Sequence, residues 1–97
     1  MTDYRIEFAP PAEQEVADAI AWYRSKNAVA ADTFKTLIFD AVEMISHSPL
    51  SWPKISERGV RKIVLPRYPY SMFFAVSGDT VTVLALMHHR RAPREWK

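Results

Sequence analysis

The sequence predicts an α+β fold with the element order strand, helix, helix, strand, strand, strand (β-α-α-β-β-β). Apolar and polar residues alternate at the N-terminus, two stripes of helical period follow, and alternation returns after a loop that contains two prolines. We expect a helical hairpin packed on a largely antiparallel sheet, whose last three strands form an antiparallel meander. The length of 97 residues suits one core, so residues 1–97 are expected to form a single domain.

The first strand and the first helix are marked by period and by proline. Tyr4 to Phe8 alternates as a half-buried strand does. Pro10 and Pro11 end that strand and fit the first turn of a helix, where a missing N–H costs nothing. The helix is predicted to run to about Lys26. Its apolar stripe consists of Val16, Ala19, Ile20 and Tyr23.

A second helix follows a brief break at Asn27 and Ala28 and ends before Pro49. Its apolar stripe consists of Phe34, Leu37, Ile38, Ala41, Val42 and Ile45. Because the connection is short, the two helices are predicted to be antiparallel neighbours. A loop over residues 48–53, which contains Pro49 and Pro53, then separates the helices from the strands.

Three strands are predicted over Val60–Leu65, Tyr70–Val76 and Thr80 to about His88. Gly78 and Asp79 form the turn of the last hairpin. This turn sets a register with three cross-strand pairs: Val76 with Val81, Phe74 with Val83, and Met72 with Ala85. One face then carries Tyr70, Met72, Phe74, Val76, Val81, Val83, Ala85 and Met87, and the other carries Phe73, Ala75, Leu84 and Leu86. Since both faces are apolar, we expect both to be covered at least in part.

Composition narrows the functional classes. Hydrophobic residues make up 48% and charged residues 25% of the chain, as in globular domains. The chain has no cysteine, which excludes disulfides, thiolate zinc sites and cysteine nucleophiles. No apolar run approaches the roughly 20 residues of a membrane helix, and the first residues lack the apolar stretch of a signal peptide. We therefore expect a cytoplasmic protein without a membrane partner.

The net charge of +2 hides an asymmetry between the two halves of the chain. Residues 1–48 hold four basic and eight acidic side chains, whereas residues 49–97 hold nine basic and three acidic ones. A basic half of this kind suits nucleic acid or an acidic partner, and it equally suits ordinary solvated side chains on strand edges. Glu13, Glu15 and Asp18 are expected to form a solvent-facing cluster near the start of the first helix.

Histidines do not predict a metal centre. His88 and His89 are adjacent on a strand, so their side chains are expected on opposite faces, and His47 lies at a helix end. No cofactor motif is present, so neither metal nor cofactor is predicted.

The basic side chains of the second half are the strongest sign of a functional surface. Antiparallel pairing could bring Arg61 and Lys62 beside the arginines that follow the last strand, in a positive cleft. Tyr70, His88 or Trp96 would line that cleft. Arginine forks and aromatic planes suit phosphates and unstacked bases, and they equally suit a protein interface.

The chain resembles the RelE/ParE toxin superfamily of bacterial type II toxin–antitoxin systems. The resemblance is carried by the element order, by residues 48–61, by Tyr68-Pro69-Tyr70 and by the C-terminal segment. That segment, residues 88–96, is similar to the H-x-x-R-x-P-x-x-W ending of the ParE-like, plasmid-stabilisation branch. The resemblance implies a toxin that a cognate antitoxin neutralises. The antitoxin is expected to be a flexible, acidic and apolar segment that orders on binding.

The two branches differ in their targets. RelE-like members are ribosome-dependent mRNA endonucleases, and ParE-like members are known chiefly as inhibitors of DNA gyrase. Arg61 matches a strand arginine found in both branches. The RelE-type arginine after the next tyrosine falls on Ser71, and the C-terminal tyrosine falls on about Arg94. The comparison therefore favours gyrase. An mRNA endonuclease acting with the ribosome stays the alternative, and a degenerate, non-toxic module that only binds antitoxin is the second alternative.

No catalytic residue is assigned. The candidates for the active surface are Arg61, Tyr70, His88, Arg90, Arg91 and Trp96, and the secondary basic candidates are Lys54, Arg58, Lys62 and Arg94. Arg91→Ala is expected to relieve growth arrest without unfolding the protein.

Overall fold

The computed structural model describes residues 3–90 and confirms the predicted α+β order. Its strands and helices have the following bounds: β1 Arg5–Phe8, α1 Pro10–Lys26, α2 Ala28–His47, β2 Arg61–Val64, β3 Tyr70–Ser77 and β4 Thr80–His88. A short 3-10 helix, Pro49–Ser51, lies in the proline loop.

The four strands form one sheet in the order β1-β4-β3-β2. Strands β2, β3 and β4 are an antiparallel meander, as predicted, and β1 lies parallel to β4 with Arg5 opposite Thr80. Strand β1 spans only the first half of β4, because its last pair is Phe8 with Val83 and Pro10 begins α1 directly afterwards. On the side away from β3, the second half of β4 is therefore next to α1 and not next to a strand.

Asn27 makes the break between the two helices. Its extended backbone stops α1, its N–H donates to the Tyr23 carbonyl at 2.8 Å, and its side-chain oxygen accepts the Ala30 N–H at 3.0 Å. One residue thus caps the end of α1 and the start of α2. The predicted break is one residue too long, because Ala28 already belongs to α2.

Both helices pack on one face of the sheet and share its core. The buried side chains of this core include Ala12 and Ala19 of α1, Phe34, Ile38, Ala41 and Ile45 of α2, and Ile63, Met72, Phe74, Val81, Val83 and Leu86 of the sheet. We call this the helix face, and the opposite side of the sheet the second face. Ser71, Ala85 and Met87 belong to the second face and are nevertheless buried.

A β-bulge corrects one part of the predicted register. Val76 pairs with Val81 and Phe74 with Val83, as predicted, but Phe73 pairs with Ala85. Leu84 is therefore an extra residue on β4, which shifts the side chains after it to the other face. Met72 lies opposite Leu86, so the prediction that placed Ala85 and Met87 on the face of Met72, and Leu86 on the other face, was wrong.

Candidate functional site

A groove of about 530 Å³ lies between α1 and the second half of β4. We call it the α1–β4 groove. It is lined by Glu15, Asp18, Ala19, Trp22, Tyr23, Tyr70, Leu86, His88 and Arg90. Three of the predicted candidates, Tyr70, His88 and Arg90, therefore lie together, although the helix residues opposite them were not predicted.

Strand pairing positions the first two candidates. Tyr70 lies directly opposite His88, and their rings meet edge to face with centroids 5.1 Å apart. The His88 Nδ1 accepts the Arg90 N–H at 3.0 Å, so a neutral His88 carries its proton on Nε2. The shift made by the bulge is what turns His88 toward the helix face.

Glu15 supplies a hydrogen-bond acceptor to the part of β4 that β1 does not reach. The last backbone bond along this edge joins the Ala9 N–H to the Val83 carbonyl at 2.9 Å. Beyond it, the Glu15 Oε1 accepts the Leu86 N–H at 3.0 Å, where a neighbouring strand would otherwise supply a carbonyl. The expectation that Glu15 faces solvent was wrong, because the short β1 leaves this buried amide in need of an acceptor from α1.

Aromatic side chains form the end of the α1–β4 groove that lies away from Glu15. The Tyr23 ring lies 4.8 Å from Phe34, 5.1 Å from Tyr68 and 6.3 Å from Tyr70, measured between centroids. Burial raises the pKa of the Tyr23 hydroxyl above its ordinary value, and the neighbouring Tyr70 and Tyr68 raise it further. Trp22, adjacent to Tyr23, is 56% exposed. A tryptophan that lies outside the predicted apolar stripe of α1 was the sequence signal that could have placed α1 in the site.

Arg61 lies apart from the groove. It pairs with Phe74, four residues along β3 from Tyr70, which is roughly 13 Å at the rise of a strand. Its Nη1 donates to the Trp52 carbonyl and, at 3.5 Å, to the Leu50 carbonyl. Arg61 thus holds the proline loop, whereas Arg90, an arginine that was predicted to lie beside it, lines the α1–β4 groove.

The secondary candidates are dispersed. Lys54 is exposed and forms an isolated bridge with Arg61, and Arg58 is exposed in a turn. Lys62 points to the second face, where it lines a smaller cavity with Ser71 and His89. The remaining candidates, Arg91, Arg94 and Trp96, lie outside the described residues.

The two adjacent histidines lie on opposite faces, as predicted. His88 contacts Tyr70 on the helix face, whereas the His89 Nε2 lies 2.9 Å from the Ser71 Oγ on the second face. Residues 3–90 contain no group of three or more acidic or histidine side chains that could hold a metal ion. Within the same residues, neither helix has the length and apolar character needed to span a membrane.

Comparison with known proteins agrees with this architecture. The family model described as the ParE toxin of the type II toxin–antitoxin system parDE matches residues 6–93. A solved structure described as the chromosomal ParDE TA system from P. aeruginosa is similar in fold, with a TM-score of 0.73 and 22% sequence identity. The alignment covers 88% of this chain and 95% of that one. No curated protein matches the chain. Because the family model covers nearly the whole sequence, the chain belongs to the ParE toxin family of type II toxin–antitoxin systems.

Proposed function

We propose that this chain arrests bacterial growth by binding DNA gyrase in the cytoplasm, and that a cognate antitoxin neutralises it. The observation that carries the proposal is membership of the ParE toxin family over residues 6–93. The α1–β4 groove is the proposed target surface, because it gathers an exposed indole, two tyrosines, His88 and Arg90 at one place. Tryptophan, tyrosine and arginine are the side chains most often found at the energetic centre of a protein interface. A role in plasmid stabilisation follows if the toxin and its antitoxin are encoded on a plasmid.

The position of Arg61 disfavours the endonuclease alternative. A nuclease of the RelE type needs cationic groups directed at the scissile phosphate, together with a general base and acid. The Arg61 guanidinium is instead directed at the carbonyls of Leu50 and Trp52, on the helix face of the sheet. Ser71 stands where the second arginine of such a site would be expected.

The antitoxin is proposed to cover the same groove. Trp22 and the half-buried Tyr23 offer apolar area that a partner can bury, and the positive charge of Arg90 beside His88 suits an acidic side chain on the β4 side of the groove. Glu15 and Asp18 lie on the α1 side of the groove. An antitoxin segment that carries its acidic residues at one end, next to Arg90, therefore fits this distribution of charges best.

Expression of the chain without its partner tests the proposal. We expect growth to stop while mRNA 5′ ends stay unchanged across the genome. Arg90→Ala should restore growth, whereas Arg5→Ala, an exposed arginine on β1, should stay toxic. New 5′ ends within codons at a fixed frame would instead establish the endonuclease, and growth without arrest would favour the non-toxic antitoxin-binding module.

A further inference from the structure

The loop between β2 and β3 holds an arginine with a positive φ. Arg67 has a φ of +69°, and the other positive-φ residues in the described part of the chain are Gly59 and Gly78, which have no Cβ to clash. The Tyr68 N–H donates to the Pro66 carbonyl at 2.8 Å across Arg67, so these three residues form a γ-turn of the rare, strained kind. We propose that this turn presents the Arg67 guanidinium to an acidic side chain of the folded target protein, next to the α1–β4 groove.

The surrounding structure holds this strained turn in place. The Tyr68 hydroxyl donates to the Ala30 carbonyl at 2.9 Å and so joins the turn to α2. A proline stands on each side of the pair Arg67 and Tyr68, and Pro66 and Pro69 each have a fixed φ. A loop that is held in this way loses little further freedom when a partner binds, which favours affinity.

The loop lies next to the β4 side of the groove. Its Pro69 carbonyl accepts the His89 N–H at 2.8 Å, just after the end of β4. Arg67 is three residues from Tyr70, so their Cα atoms are no more than about 11 Å apart. Tyr70 and Arg90 both line the groove. Arg67 therefore adds a second positive charge to the side of the groove that already carries Arg90.

The Arg67 side chain is exposed, and its guanidinium makes no hydrogen bond or ion pair with residues 3–90. The positive φ therefore costs stability without a side-chain contact in this part of the fold to offset it. A carboxylate of a partner can accept two parallel hydrogen bonds from such a guanidinium. A folded target needs this contact already in place, whereas a flexible antitoxin segment orders on binding and can adapt to a relaxed loop. The inference rests on the proposed function and adds one residue to the target surface.

Replacement of Arg67 by glycine separates stability from target binding. Arg67→Gly removes both the strain and the guanidinium, so this variant should unfold at a higher urea concentration than the wild type. It should nevertheless need at least fivefold more protein to inhibit supercoiling by purified gyrase. Arg67→Asn, which also tolerates a positive φ and has no charge, should inhibit equally weakly. Arg67→Lys keeps the charge but not the planar fork, and should lose less inhibition than either uncharged variant.

Arg5→Ala is the matched control, because it removes one exposed positive charge on β1, and it should inhibit as the wild type does. An equal loss in Arg5→Ala would reveal a general effect of charge and overturn the inference. A lower urea midpoint for Arg67→Gly would overturn it as well, since the turn would then not be strained. If the uncharged Arg67 variants inhibit as the wild type does while Arg90→Ala is weaker, the inference fails and the proposed function stands. If the wild-type chain does not inhibit gyrase, both fail.

Discussion

Glu15 is the residue that adapts a short first strand to a longer β4. Its carboxylate accepts the N–H of Leu86, which is 1% exposed, and so replaces the partner that β1 does not provide. Glu15→Ala should lower the free energy of unfolding by about 1–3 kcal/mol, because it leaves this amide without its acceptor.

Glu15→Gln is the matched control, since an amide oxygen still accepts the Leu86 N–H. We expect Gln to retain more than half of the stability that Ala loses in urea unfolding. Equal losses in the two variants would show that the carboxylate stabilises the fold through its charge and not through this hydrogen bond.

Because of Tyr23, the free energy of unfolding is expected to depend on pH in the alkaline range. Burial raises the pKa of its hydroxyl above 10.0, so the folded protein keeps the proton at a pH where the unfolded chain has released it. This contribution is complete below about pH 10 and is lost as the pH rises through the higher pKa of the folded state. Urea unfolding at pH 9 and pH 11 should therefore show a smaller loss of stability in Tyr23→Phe than in the wild type. An identical loss in both proteins would show that ionisation of Tyr23 does not cause the loss of stability.

At the scale of elements, Arg61 joins β2 to the proline loop. Arg61→Met removes charge-assisted hydrogen bonds to the carbonyls of Leu50 and Trp52, and should cost about 1–3 kcal/mol of unfolding free energy. Lys62→Met, the next residue on the same strand but on the second face, should change stability by less than about 0.5 kcal/mol. If Arg61→Met is as stable as the wild type yet no longer toxic, Arg61 contacts the target and does not act through the loop.

The turn between β3 and β4 fixes the first part of their register. Gly78 has a φ of +60°, whereas Asp79 has no positive φ, the combination found in hairpin turns of type II′. Gly78→Ala should lower the free energy of unfolding by about 1–2 kcal/mol, because a Cβ is strained at this φ although space is available. Asp79→Asn keeps the acceptor for the Thr80 hydroxyl and should unfold at nearly the same urea concentration as the wild type. Equal free energies of unfolding in the two variants would show that this turn does not determine stability.

The elements were predictable from the sequence because period, proline and turn signals agree along the chain. The bulge at Leu84 was not, since every residue from Leu84 to Met87 is apolar and alternation carries no information there. The sequence also did not reveal the α1 side of the α1–β4 groove. Tyr70, His88 and Arg90 could be grouped from the strand order, and Pro10 and Pro11 mark the end of the short β1. The helix residues that face these candidates depend also on the pairing of β1 with β4 and on the bulge, and the sequence has no pattern for either.

At the scale of the whole molecule, the two faces of the sheet carry different chemistry. The helix face ends in the α1–β4 groove, which combines aromatic area with charges of both signs and suits a protein partner. The second face carries Lys62 and His89 beside the buried Ser71. The ParE family model covers the residues of both surfaces, which lie on opposite faces of the sheet.

We propose that the chain inhibits gyrase through the α1–β4 groove, and a supercoiling assay with purified components measures this inhibition. The wild-type chain should prevent ATP-dependent supercoiling of relaxed plasmid by gyrase in proportion to its concentration. Arg90→Ala should need at least tenfold more protein for the same inhibition, and Arg5→Ala should match the wild type. Complete supercoiling at every concentration of a folded wild-type chain that still arrests growth in cells would show that gyrase is not its target.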